Sequence, residues 1–294
     1  MFEKVIVATD LSPASNGLVD CLGGLKAYGV KYILLLQCLT LQEVGSIALS
    51  YTTAFLNAAL KEQKEKLERQ GFEVETRTIP GRARTEINRI SDEENCSLIV
   101  VGSQGHSLVG ELFFGGVAYE VVHHARKPVL VVRLELVKGE GPDCVRAARC
   151  NFAGHILYPT DFSENADRAF EYVKEMAAVG VKHITLLHVQ DRTRIEPHLT
   201  HRLDEFNKID RERLERLKTD LSKKGGPRVD IALTFGSPFS EITKFIKEQD
   251  INLVIMGTQG RGFVEELFIG SVSHNVVRHS EVSVLLIPAK HGDK

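Results

Sequence analysis

The sequence has no tryptophan and only 3 methionines in 294 residues, yet its more telling absences are in charge and motif. Lys and Arg number 37 against 39 Asp and Glu, so neither sign is in excess. That excludes a broad electrostatic footprint for nucleic acid or for a membrane surface. No apolar run approaches the length needed to span a membrane as a helix. Cysteine is scarce and odd in number: Cys21, Cys38, Cys96, Cys144 and Cys150, with no C-x-x-C pair, are not a disulfide framework. Cys21, Cys38 and Cys96 sit in apolar patterns and read as packed thiols. Cys144 and Cys150 fall in a linker-like stretch, where a mutual bridge is the alternative, disfavoured in a reducing compartment. The opening Met1-Phe2-Glu3-Lys4-Val5 goes directly into a strand pattern without signal-peptide character, and the expected location is the cytoplasm. The P-loop pattern G-x-x-x-x-G-K-[ST] and the dinucleotide fingerprint G-x-G-x-x-G are both missing.

What is present is a repeat. K-V-I-V-A-T-D-L-S-P, with Asp10, returns as H-I-L-Y-P-T-D-F-S-E, with Asp161. V-K-Y-I-L-L-L-Q-C from Val30 returns as V-K-H-I-T-L-L-H-V from Val181, and L-I-V-V-G-S-Q-G from Leu98 as L-V-I-M-G-T-Q-G from Leu253. The Gly-, Pro- and charge-containing segment between the copies reads as a linker. The expected organisation is a first domain over 1–137, a linker over 138–153 and a second domain over 154–294.

Each copy alternates apolar strand runs with helical stripes. That order demands an α/β fold with a parallel sheet covered on both faces. Helices are predicted from Pro13 to about Tyr28, over Tyr51–Gln70 with Phe55, Leu56, Leu60 and Leu67 on one side, and over Leu203–Ser222. Residues 42–50 are ambiguous. The last strand of each copy lies at Val129–Val132 and Val284–Ile287.

In the second copy the run Val254–Met256 ends on Gly257. Gly260 follows, then nine residues, then Gly270 and Ser271 at the start of a helical stripe. Glycines let backbone approach a ligand, and the free N–H groups of a helix start attract anions. This strand, loop and hydroxyl-bearing helix start suit a phosphate.

G-x-x-G, nine residues, then G-[ST] resembles the nucleotide-binding signature of the universal stress proteins. The resemblance covers both copies and leaves out the linker and the tail after Ala289. It implies two tandem doubly wound parallel-sheet domains, adenine nucleotide alpha hydrolase-like, each five-stranded in the order 3-2-1-4-5. It implies ATP or AMP as cofactor; a Mg²⁺ or Mn²⁺ held mainly by the nucleotide's phosphates is the metal arrangement that fits such a ligand. It also implies pairing through the last strands, as a homodimer or as a pseudo-dimer within the chain. Carried onto matching positions, Gly257, Gly260, Gly270 and Ser271 hold ribose and phosphates, with Val272, Ser273 and Arg261 beside them. Pro159, Thr160, Val189 and Met256 line the adenine slot, and Asp161 meets the nucleoside or else serves the helix that follows it.

The first copy keeps Thr9, Asp10, Val101, Gly102, Gly105, Gly115 and Val117. Gly116 stands where Ser271 stands, Ala118 replaces Ser273, Ala8 replaces Pro159, Cys38 replaces Val189 and His106 replaces Arg261. Two hydroxyls are lost, so a weaker or phosphate-poor first site is expected. No general base, Walker-B acid or arginine finger can be assigned, and binding without fast chemistry is the favoured reading. Slow ATP hydrolysis through Asp161 or a metal-bound water is the enzyme alternative. A nucleotide-independent interaction module is the third, with the first copy its better candidate. Motifs of nucleotidyl transferases of similar fold, S-G-G-x-D-S and H-I-G-H, are absent. His123, His124, His198 and His201 lack convergent partners, so no metal site built from protein groups alone is expected.

Overall fold

The computed structural model describes residues 1–39, 50–103, 115–136, 145–196, 199–222, 226–261 and 269–289. Gly105, His106, Cys144, His198, Gly225 and the stretch 42–49 lie outside the described residues. The chain divides into two compact units, Met1–Cys150 and Asn151–Lys294.

The first unit runs β1 (Lys4–Thr9), α1 (Pro13–Cys21), β2 (Tyr32–Leu39), α2 (Ser50–Arg69), β3 (Glu73–Pro80), α3 (Ala83–Glu93), β4 (Leu98–Gly102), α4 (Gly116–His124) and β5 (Val129–Val132). Its strands pair in parallel in the spatial order β3-β2-β1-β4-β5. Strand β1 is central, with Val5 facing Ile33 on one side and Leu98 on the other. It is covered on both faces, which is why Val5, Ile6 and Val7 form an unbroken apolar run with no exposed area.

The second unit repeats this order with β8 (His155–Pro159), α5 (Glu164–Ala178), β9 (His183–Asp191), a short helix α6 (Arg192–Ile195), α7 (Leu203–Leu221), β10 (Arg228–Gly236), α8 (Pro238–Glu248), β11 (Leu253–Gly257), α9 (Ser271–His279) and β12 (Ser283–Ile287). Its parallel order is β10-β9-β8-β11-β12. Both units thus have the 3-2-1-4-5 order, with a topological switch between the first and fourth strands.

Four details differ from the sequence reading. Helix α1 ends at Cys21 and continues as a 3₁₀ segment, Leu22–Tyr28, because Gly23 and Gly24 weaken the α-helix there. The buried stripe of α2 is Leu60, Gln63 and Leu67, whereas Phe55 is 73% exposed. Positions 60, 63 and 67 share one helical face, and position 55 is turned away from it. Part of the stretch read as a linker is folded: β7 (Val145–Ala147) pairs antiparallel with β6 (Leu134–Leu136). This hairpin lies on the α1 backbone at Gly17, where a Cβ would come within 2.5 Å of the Val145 carbonyl oxygen. Finally, Cys21 is not a packed thiol and Cys150 is not paired with Cys144. Cys21 and Cys150 form a disulfide, their Cα atoms 4.9 Å apart, because the folded hairpin brings residue 150 back to the end of α1. Cys38 and Cys96 are free.

No helix among the described residues is long and apolar enough to cross a membrane.

Candidate functional site

The same turn follows the first strand in both units. In the second, the Thr160 hydroxyl accepts the Phe162 N–H at 3.0 Å and Asp161 Oδ1 accepts the Ser163 N–H at 3.1 Å. Ser163 Oγ then accepts the Ala166 N–H and caps α5. In the first unit Thr9, Asp10 and Ser12 make the equivalent bonds to Leu11, Ser12 and Ser15. The T-D-x-S motif is therefore a turn whose third residue is forced to positive φ, 59° at Leu11 and 57° at Phe162. Such a conformation is costly for a bulky residue and persists only where its surroundings impose it.

Asp161 has a second task. Its Oδ2 accepts the Arg261 N–H at 2.8 Å, tying the end of the first strand to the loop after the fourth. The capping role belongs to Ser163, so Asp161 is a clamp across the switch point. A Cβ at Gly260 would lie 2.6 Å from that same Oδ2, so glycine there serves the clamp. The loop is pinned further by Thr258 N–H to the Ile287 carbonyl and by Gln259 N–H to Asn165 Oδ1. Asn165 was missed in the sequence, where it is one polar residue early in a helix. It is buried, and its Nδ2 also donates to the Ile287 carbonyl at 3.1 Å.

Gly270 donates to the Thr258 carbonyl at 2.7 Å and stands at the N-cap of α9, which no side chain caps. The first N–H groups of α9 consequently point out beyond the strand ends. Ser271 is exposed there. The Ser273 hydroxyl, expected to reach a phosphate, donates instead to the Gly257 carbonyl at 2.8 Å and fastens α9 to β11.

These groups border one cavity of about 650 Å³ in the second unit. Pro159, Thr160, Asp161, Val189, Met256, Gly257, Gly260, Arg261, Gly270, Ser271, Val272 and Ser273 all line it. Pro159, Leu187, Val189, Ile242 and Met256 give it an apolar slot; Gly260, Gly270 and Ser271 give it a donor-rich end. Its remaining wall comes from the segment after β9 and from α7: Arg194, Ile195, Leu199, Phe206, Ile209, Asp210 and Arg213. The sequence reading placed a helix over Leu203–Ser222 but missed that it walls the cavity, although Phe206, Ile209 and Arg213 recur at helical spacing. It also missed His188, a lone polar residue in the strand run L-L-H-V. His188 is buried against Phe162, their ring centroids 4.6 Å apart. Burial lowers its pKa against the opposing pull of the Thr160 carbonyl and the Asp210 carboxylate. The Phe162 ring also lies under two guanidinium groups, Arg213 at 5.2 Å and Arg261 at 5.9 Å from its centroid.

The first unit brings Ala8, Thr9 and Asp10, at the end of β1, beside Cys38 on β2 and Val101 and Gly102 on β4. Gly115, Gly116 and Val117 start α4, again with no side-chain cap. Here the Thr9 hydroxyl donates to Gln63 Oε1 at 2.7 Å, and Gln63 binds Asn16 in turn. Burial pushes the Cys38 thiol up to about 12, so it stays a neutral thiol. Among the described residues, no group of three His, Cys, Asp or Glu converges as metal ligands in either unit.

The family model described as "Universal stress protein family" matches residues 1–133 and 153–288. Universal stress protein MJ0577 of Methanocaldococcus jannaschii is 32% identical over 155 residues, covering 46% of this chain and 95% of its own length. The crystal structure of a universal stress protein from Archaeoglobus fulgidus superposes with a TM-score of 0.69 at 26% identity, covering 99% of this chain and 97% of that one.

Proposed function

The chain belongs to the universal stress protein family, and from that premise we propose that its second unit binds an adenine nucleotide, ATP or AMP, as a nucleotide-dependent stress-response module. One observation carries the reading: the apolar slot and the uncapped start of α9 open into the same cavity at the topological switch point. A purine needs the slot, and its phosphates need the free N–H groups and the Ser271 hydroxyl. Any Mg²⁺ or Mn²⁺ would be held mainly by the nucleotide's phosphates.

The test is mass spectrometry of ligand released on denaturation, followed by calorimetric titration of AMP and ATP. Ser271→Ala removes one hydrogen bond to a charged group, worth about 1.5–3 kcal/mol. The expected result is an affinity for ATP weakened about tenfold or more. If wild-type protein carries no adenine nucleotide and binds neither AMP nor ATP, the reading is wrong.

The first unit would bind more weakly, through backbone donors alone. Nothing lies within 4 Å of a Cβ built at Gly116, so serine fits there without displacement. Gly116→Ser is expected to strengthen nucleotide binding by the first unit about tenfold, by the same hydrogen-bond arithmetic. Calorimetry would register this as a second, tighter site; an unchanged isotherm would count against the first unit as a nucleotide site.

A further inference from the structure

One wall of the second-unit cavity sets two hydrogen-bond acceptors against each other. His188 Nδ1 lies 2.7 Å from the Thr160 carbonyl oxygen. A carbonyl oxygen only accepts, so Nδ1 carries the proton and Nε2 of the neutral ring presents a lone pair. Nε2 in turn lies 3.5 Å from Asp210 Oδ2. Both side chains are nearly sealed from solvent, at 8% and 13% exposure, and both line the cavity. Oδ2 already accepts from Gln190 Nε2 at 3.0 Å, and Arg213 approaches Oδ1 at 3.7 Å. A buried lone pair set against a buried carboxylate is unfavourable until a donor joins them.

Two things can supply that donor: a proton on Nε2 or a group on a ligand. His188 and Gln190 project from the face of β9 opposite to Leu187 and Val189, which line the apolar slot. A nucleotide with its base in that slot and its phosphates at the start of α9 has its ribose between the two, within the cavity that His188 and Asp210 also line. Two other carboxylates line the cavity among the described residues, and both are engaged: Asp161 accepts backbone N–H groups on both oxygens, and Asp191 accepts from Thr193 on Oδ1 with Arg194 Nε 3.5 Å from Oδ2.

We propose that His188 and Asp210 form a corner that reads a ribose hydroxyl of the bound nucleotide, and that a proton on His188 competes with the ligand for it. This rests on the nucleotide reading of the same cavity. Among the described residues, the charged groups around His188 are Asp210 and Arg213 from α7, Asp161 from the turn after β8, and Arg261 from the loop after β11. Asp210 and Asp161 favour the imidazolium, while burial and Arg261 oppose it. The ring is therefore neutral and ready for a donor at neutral pH. Below the ordinary histidine range it takes up a proton, donates to Asp210 and closes the corner.

The experiment compares AMP with 2′,3′-dideoxy-AMP by calorimetry at pH 7.5 and pH 5.5. Wild-type protein at pH 7.5 is expected to prefer AMP about tenfold or more, the worth of a hydrogen bond to a charged group. His188→Asn keeps the donor to Thr160 and deletes Nε2; it should lose most of that preference. Asp210→Asn supplies an amide donor to Nε2, imitates the protonated corner and should lose it as well. Acidification should shrink the preference of the wild type and leave that of His188→Asn flat. Taking the ratio of the two ligands cancels the phosphate's own ionisation near pH 6. If AMP binds but the dideoxy analogue binds equally well, or if both variants keep the wild-type ratio, the corner is not a ribose reader. If AMP does not bind at all, the nucleotide reading falls and this inference falls with it.

Discussion

Gly257→Ala is expected to abolish nucleotide binding by the second unit and to lower that unit's stability by about 2–5 kcal/mol. Gly257 is the last residue of β11, and a Cβ there would sit 2.6 Å from Asn165 Oδ1 and 3.0 Å from the Asn165 carbonyl oxygen. Neither atom can withdraw cheaply. Oδ1 accepts the Gln259 N–H at 2.8 Å, the same side chain donates to Ile287, and the carbonyl belongs to the backbone of α5. One added methyl must displace a helix or strand two buried hydrogen bonds. Overpacking typically costs about 1–3 kcal/mol, and each stranded buried group about as much again, without strict additivity. The damage reaches the proposed phosphate-binding groups directly, because Ser273 is bonded to the Gly257 carbonyl and carries the start of α9 with it. Urea unfolding and an AMP titration on the same variant would measure both effects. A variant with unchanged midpoint and affinity would show that Asn165 is not the pin described above.

The second large effect concerns the first unit. Reducing Cys21–Cys150 is expected to lower its stability by about 2–4 kcal/mol, the usual range for a native bridge, while leaving the second unit's nucleotide affinity unchanged. The bridge spans 129 residues of sequence, and a chain-entropy estimate for a loop of that size is about 5 kcal/mol as an upper figure. It fastens the β6–β7 hairpin onto α1, whose Gly17 admits the hairpin backbone at close range. Cys21 is buried but Cys150 is exposed, so a thiol reductant reaches the bridge from the Cys150 side. Thermal unfolding with and without dithiothreitol, repeated on Cys21→Ser/Cys150→Ser, is the measurement. Identical curves for oxidised, reduced and double-variant protein would mean that the hairpin holds without the bridge.

The two units and their glycine-bearing stretches were legible in the sequence because they are written locally, whereas the strand order came only from the resemblance to a known family. A parallel strand covered on both faces needs a continuous apolar run, such as Val5–Val7. A turn needs its own residues in sequence, as in T-D-L-S and T-D-F-S. The repeat then makes each copy a check on the other. Gly257, Gly260, Gly270 and Ser271 stood out as one group because they occupy fixed spacings in one short stretch, and the fold sets all four along one cavity.

The missed features all join residues far apart in sequence. Gln259 meets Asn165 across 94 positions and Arg261 meets Asp161 across 100, and neither contact leaves a periodicity in either segment. The helix α7 wall and the acceptor pair of His188 and Asp210 exist only once α7 packs against β9. Cys150 finds Cys21 only once β7 has turned back onto α1. The sequence by itself determined the elements, their duplication and the chemistry gathered at the strand ends, because turn preferences and apolar periodicity act over a few residues. Only the tertiary structure decided which groups close the cavity, which glycines make room for side chains, and which cysteines bond, because those outcomes depend on distances set by the packing of whole helices against the sheet.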